Sequence, residues 1–184
     1  LFSRHDVGSR VLFINVFIHA RQFFFMEPAL ERYLQKNDIH YILHRHAAVH
    51  TVAESHADET IMRIPGLRCK TLFLVDESNQ YYLVGMPGVK RLDFKKLQTS
   101  LGVKKLTMGS QETLLRETGL VPGSVSIFGV FQNSSIILVL DEEVWQAQQV
   151  CFHPNVNTET LELTHHALER FFETIPNTKK IVAL

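Results

Sequence analysis

The sequence predicts an α+β fold built on a mixed, largely antiparallel sheet with helices around it. Helix-like and strand-like segments are interspersed without the regular strand-helix-strand beat of a doubly wound parallel sheet. Two apolar runs, residues 72–75 and 81–84, flank the polar cluster Asp76-Glu-Ser-Asn-Gln80, the pattern of an antiparallel hairpin. No internal repeat, low-complexity tract or Gly/Ser linker divides the 184 residues. Residues 26–184 are therefore expected to form a single domain.

The first 25 residues differ in composition from the rest. Residues 11–25, VLFINVFIHARQFFF, are interrupted by His19, Arg21 and Gln22, fall short of the roughly 18–20 apolar residues that cross a bilayer, and carry no small-residue cleavage site. Residues 1–25 read as an N-terminal extension, either packed as an extra strand or helix, with residues 11–18 strand-like, or joined on as a separate sequence.

From there the elements follow in order. Pro28, in a first-turn position, and the apolar Leu30, Tyr33 and Leu34 predict a helix ending near Asn37. Residues 39–43 read as a strand. Thr51-Val-Ala-Glu54 has capping-box spacing and predicts a helix running toward Met62, which Pro65 and Gly66 stop. After the hairpin, Asp93 caps a helix through Leu101 that Gly102 closes, and residues 110–118 repeat the pattern with Gly119 as the stop. Residues 126–131, 135–140 and 149–152 are expected as strands. A final helix spans residues 164–174, with Leu168, Phe171 and Phe172 as its apolar stripe.

Charge excludes one class of protein at once. Lysine plus arginine and aspartate plus glutamate both total 19, so the chain is no bulk polycation and any nucleic-acid contact must come from a local patch. Lys90, Arg91, Lys95, Lys96, Lys104 and Lys105 form the only basic concentration, equally suited to phosphates or to a solvated helix face. Cys69 and Cys151 form no C-x-x-C pair and no disulfide framework, which points to a reducing compartment, the cytoplasm, with no membrane association.

No Walker loop, G-x-G-x-x-G, H-E-x-x-H or G-x-S-x-G occurs. The histidines at 40, 44, 46, 50 and 56 include no set with zinc-ligand spacing, so no metal is expected. Three segments stand out instead. Lys70 opens an apolar strand, where an ammonium either snorkels to the rim or is held at a pocket mouth by an anion; position alone favours the rim. Gly119, Pro122 and Gly123 form a rigid turn, where glycine permits close backbone approach, although any helix-to-strand loop uses such residues. His153 precedes Pro154 with Cys151 two residues back. A Cys-His pair adjacent on one strand rarely aligns for proton transfer, which leaves a histidine that orders its own loop as the commoner outcome.

Lys70-Thr-Leu-Phe-Leu74, Gly119-Leu-Val-Pro-Gly-Ser-Val125 and Phe152-His-Pro-Asn-Val-Asn157, in this order and at these separations, resemble the YbaK/prolyl-tRNA editing family across residues 26–175. The resemblance is nearest to its free-standing members that deacylate alanyl-tRNA(Pro). It implies a barrel-like sheet and a trans-editing hydrolase that removes a small amino acid, alanine first, from mischarged tRNA(Pro) by water attack on the aminoacyl ester, without a protein nucleophile or cofactor. Cys-tRNA(Pro) or another small aminoacyl-tRNA is the next substrate, and a non-catalytic aminoacyl- or nucleotide-binding module, or one that docks to a synthetase, is the alternative of another class. Implied partners are the acceptor end of aminoacyl-tRNA and prolyl-tRNA synthetase; oligomeric state is left open.

By the same resemblance Lys70 is the catalytic residue that orients the terminal adenosine or the ester, and Gly119, Pro122, Gly123 and Ser124 wall the aminoacyl group. His153 supports that group or its loop. Thr71 stands where alanine-specific members commonly have asparagine, which weakens the assignment of alanine. Val49, Thr51, Ile61 and Phe128, with His50 nearby, are expected around the amino-acid side chain. A second, smaller sieve answers a physical need, since a missing methylene is worth only about 1–3 kcal/mol in a pocket shaped for proline.

Overall fold

The computed structural model describes residues 25–184. The expectations for the extension and for a strand over residues 11–18 lie outside the described residues, apart from Phe25. Eight strands form a mixed sheet in the order β1-β7-β6-β2-β3-β5-β8, with β4 paired to β2 off that path. They are β1 Ile42–Arg45, β2 Leu67–Asp76, β3 Tyr81–Pro87, β4 Leu106–Met108, β5 Ile137–Asp141, β6 Gln149–Phe152, β7 Glu159–Thr164 and β8 Lys179–Val182. The helices are α1 Pro28–Lys36, α2 Val52–Ala57, α3 Glu59–Met62, α4 Phe94–Leu101, α5 Gln111–Thr118, α6 Glu142–Gln146 and α7 His165–Thr174. Among the described residues no helix is long and apolar enough to cross a membrane.

Capping residues set most helix starts as expected. Asp93 Oδ1 accepts from Lys96 N at 3.0 Å, Ser110 Oγ from Thr113 N at 3.1 Å, and Thr164 Oγ1 from Ala167 N at 3.2 Å. The expected hairpin is β2 and β3, its turn held by Asp76 Oδ1, which accepts from Ser78 N and Gln80 N.

Four local expectations are corrected. The strand expected at residues 39–43 begins at Ile42, because Ile39 N donates to Leu34 O at 2.9 Å, closing α1 around Asp38 in the left-handed region (φ 56°). The helix expected from Thr51 to Met62 is two short helices. Asp58 turns extended and its carboxylate caps Thr60 N and Ile61 N, starting α3 afresh. Residues 126–131, expected as a strand, enter a 3-10 helix over Ile127–Gln132 with Ile127, Phe128 and Val130 buried. A run buried all round gives no periodicity to separate helix from strand. The strand expected from residue 135 starts at Ile137.

Alternation along the central strands sends side chains to two cores. Leu83 of β3 with Leu138 and Leu140 of β5 join the larger one, under α1, α5, α7 and the 3-10 helix. Tyr82, Val84 and Val139 join a smaller one that α4 covers through Leu97. The long strand β2 positions the site. β3 pairs along one edge from Cys69 to Val75, while the other edge pairs with β6 only at Leu67 and Arg68 and with β4 only from Leu74. Residues 69–72 thus face a gap between two strands, and the cleft opens there.

Candidate active site

The cleft has a volume of about 250 Å³. Five consecutive residues of β2, Arg68, Cys69, Lys70, Thr71 and Leu72, line it, which strand alternation alone would forbid and the open edge explains. Arg68 O accepts from Gly88 N and Asp76 N donates to Gln80 O, so even-numbered residues of β2 spend their backbone groups on β3. Phe73 O, on the opposite edge, accepts from Gly109 N. Thr71, of the same parity, therefore presents its N–H and C=O toward the gap. Its hydroxyl is buried with no hydrogen-bond partner among the described residues.

Lys70 is half-buried, and its ammonium donates to Lys90 O at 2.5 Å. Burial lowers its pKa below the ordinary lysine value. Arg68 also lines the cleft, with His50, His56 and His153, and no aspartate or glutamate does. A protein of zero net charge thus brings Lys70 and Arg68 to one concavity that no carboxylate lines.

One wall is the loop from Val49 into α2. Thr51 Oγ1 accepts from Glu54 N at 3.1 Å, and Glu54 Oε2 accepts from His50 N at 2.8 Å, so Thr51 faces the cleft with its hydroxyl engaged as a helix cap. Opposite His50 stands Gly123. Its φ of +89° suits glycine, and a Cβ there would sit 3.1 Å from His50 Nδ1. Val125 lines the cleft beside it.

The remaining members of that motif build the turn and lie outside the lining. Gly119 ends α5 at φ +69° with nothing within 4 Å of a Cβ, Pro122 is exposed, and buried Ser124 donates its hydroxyl to Val121 O at 2.9 Å. Of the residues expected around the amino-acid side chain, Val49 and Thr51 line the cleft. Ile61 lines a small adjoining cavity of about 30 Å³, whereas Phe128 is fully buried in the main core against Phe171.

His153, at the end of β6, donates Nδ1–H to Glu159 O at 2.8 Å, which leaves Nε2 as an acceptor. Burial is the main force holding its pKa below the usual histidine value. The Glu159 carbonyl pulls the other way, and His46, its ring 5.8 Å away, adds to the lowering. The ring is neutral at pH 7. Both thiols are poor nucleophiles: burial pushes Cys69 well above its ordinary range and Cys151 up to about 12. Each Sγ donates to a backbone carbonyl, of Leu67 and Pro65 respectively.

Sequence reading missed three contributors. Arg68 stood beside the lysine motif unassigned. Asn157 closes the histidine motif and donates Nδ2–H to His50 Nδ1 at 3.2 Å, joining the third motif to the cleft wall. Lys90, whose carbonyl orients Lys70, is fixed by Asp141 Oδ2 at 2.7 Å and Glu143 Oε2 at 3.4 Å. Burial alone would lower its pKa, but these carboxylates outweigh it and raise it. Among the described residues no group of three or more His, Cys, Asp or Glu could hold a metal ion. His44 is paired with Glu162, and His46 bonds Ala47 O and Thr160 Oγ1.

A mixed α+β sheet opened at one strand edge forms a cleft lined by Lys70 and Arg68 and by no carboxylate, an arrangement suited to an anionic group. Residues 46–171 match the aminoacyl-tRNA editing domain, and the chain belongs to that family, as an aminoacyl-tRNA deacylase. It is 32% identical over 154 residues to the prolyl-tRNA editing protein ProX of Acetoanaerobium sticklandii, covering 82% of this chain and 93% of that protein. It shares its fold with the crystal structure of a candidate trans-editing enzyme for prolyl tRNA synthetase, with a TM-score of 0.67, 21% identity, and 87% and 98% of the two chains covered. A hypothetical protein of known structure is similar in the same way, with a TM-score of 0.68, 22% identity, and coverage of 83% and 97%.

Proposed function

We propose that this protein, through residues 26–184 as one editing unit, hydrolyses mischarged tRNA(Pro), with Ala-tRNA(Pro) as its first substrate. The observation that carries this reading is the Lys70 ammonium, beside the unpartnered Thr71 hydroxyl, in a cleft that no carboxylate lines. The relative named for prolyl-tRNA editing supports the choice of tRNA.

Water attacks the ester carbonyl carbon, and the electron pair of the C=O bond moves to oxygen. Lys70 stabilises that oxyanion, and the Thr71 N–H, on the strand edge that faces the gap, donates to it. Collapse re-forms the carbonyl and breaks the bond to the ribose oxygen, which takes the proton given up by the attacking water and leaves as the tRNA hydroxyl. Neutral His153 accepts a hydrogen bond from the substrate's α-ammonium through Nε2. Neither thiol takes part.

The test is deacylation of tRNA(Pro) charged with Ala, Cys, Ser or Pro by wild type and Lys70→Ala. Wild type releases alanine and spares proline, and Lys70→Ala loses at least about 100-fold in kcat/KM, the scale of a lost oxyanion contact. Equal rates in the two proteins would refute the role of Lys70, and no hydrolysis of any species would refute the reading itself.

A further inference from the structure

The cleft opens at Gly88 into the loop that leads to α4. This loop is pinned from two sides, by Lys90 Nζ on Asp141 and Glu143 and by the Lys70 ammonium on Lys90 O. Arg91 comes next, and α4 then turns Leu97 into the core and leaves Lys95 and Lys96 exposed. Arg91, Lys95 and Lys96 have no ion-pair partner among the described residues. Helix α4 contains no acidic residue, and the carboxylate of Asp93 before it is engaged with Lys96 N. Thr99 and Ser100, one turn on, are exposed hydroxyls that donate back to the carbonyls of Lys95 and Lys96.

The other basic pair differs. Lys104 and Lys105 lie beyond the C-terminal end of α4, and the Glu77 carboxylate accepts from both of their backbone N–H groups, at 3.0 and 2.9 Å. They stand at the end of α4 opposite the pinned loop, whereas Lys95 and Lys96 stand in its first turn.

A cavity of about 250 Å³ accommodates little more than a terminal aminoacyl nucleoside, so the remainder of a polymeric substrate must leave across the surface. Arg91 lies three residues from Gly88, within roughly 11 Å by the reach of an extended chain. We propose that Arg91, Lys95 and Lys96 form a docking track for the phosphodiester backbone of the tRNA acceptor arm whose 3′ end occupies the cleft. The track rests on the reading of that cleft as an aminoacyl-tRNA site. A guanidinium and two ammonium groups with no ion-pair partner among the described residues match successive phosphates, and the pinned loop fixes them relative to Lys70.

The experiment is binding of uncharged tRNA between 50 and 200 mM salt, followed by fluorescence anisotropy and independent of hydrolysis. Lys95→Ala with Lys96→Ala weakens binding about tenfold or more at the low-salt end and reduces the slope of log K against log salt by about 1.4–1.8, at 0.7–0.9 per phosphate released. Adding Arg91→Ala deepens both effects. Lys104→Ala with Lys105→Ala removes the same charge and leaves the slope unchanged.

Equal weakening by the two lysine pairs, or none by Lys95 and Lys96, overturns the track. If wild type deacylates no mischarged tRNA while the Lys95–Lys96 pair alone weakens binding, the track stands and the substrate reading falls. If deacylation proceeds and binding ignores that pair, the reverse holds.

Discussion

His153 shows how one hydrogen bond and burial fix the protonation state of a site. With Nδ1–H committed to Glu159 O and the ring buried, the proton that would charge Nε2 is disfavoured, and the pKa lies below the ordinary 6.5. As a consequence kcat/KM stays flat as pH falls to 6.5 and drops only below it, while His153→Ala loses that acid limb; rates measured from pH 5 to 8 decide this, and a midpoint above 6.5 contradicts it. The sign for stability follows from the same shift. Below pH 6.5 the unfolded chain binds a proton that the folded ring refuses, so this stabilising contribution, complete above 6.5, fades as pH falls toward the folded pKa. Lys70 and His153 were legible in the sequence because each sits inside a motif. Asn157 and Lys90 were not, since their roles depend on partners distant in the chain; Asn157 meets a histidine 107 residues away.

Among elements, the turn after α5 separates glycines by what they do. Gly123→Ala forces a Cβ to 3.1 Å from His50 Nδ1 at a positive φ, and is expected to cost about 1–2 kcal/mol and to raise KM by moving the cleft wall. Gly119→Ala carries a similar backbone cost with open space around it, so it lowers the melting temperature and leaves KM alone. Thermal melts paired with deacylation kinetics distinguish the two, and equal KM values for both variants would remove Gly123 from the wall. Most elements announced by caps, by the Asp76 turn or by a helical stripe were readable in order, but α6, capped by Asp141, and the fresh start of α3 at Asp58 were not. The strands missed lack a readable alternation, for different reasons. Strand β7 carries Glu159 and Glu162, which look solvent-facing in the sequence, yet both are buried because β1 supplies Arg45 and His44 to them. Strand β8 begins with two lysines and owes its place to parallel pairing with β5, while β4 is three residues long, too short for any period.

At the scale of the whole molecule, Glu159 joins parts that are far apart in sequence. Its side chain is almost fully buried; Oε2 accepts from Met26 N at 2.7 Å, where the chain enters α1, and Oε1 accepts from Arg45 Nε of β1 at 3.1 Å. Its carbonyl takes the His153 proton. One residue of β7 thus ties the first helix, an edge strand and the cleft together, with the side chain serving the frame and the main chain serving the cleft histidine. Glu159→Ala therefore leaves Met26 N buried without its acceptor and frees Arg45, while the carbonyl that orients His153 survives. Arg45 is largely solvated, so its share is small and the lost buried acceptor dominates, for a total of about 2–3 kcal/mol. For a chain of this length that is roughly 4–12 °C in melting temperature. Below the transition the variant is expected to keep the wild-type pH profile of kcat/KM, because the His153 hydrogen bond is made by backbone. Scanning calorimetry and a pH series on the same preparation check both halves. An acid limb that moves together with the melting temperature would show that the carboxylate, and not the strand, holds the histidine.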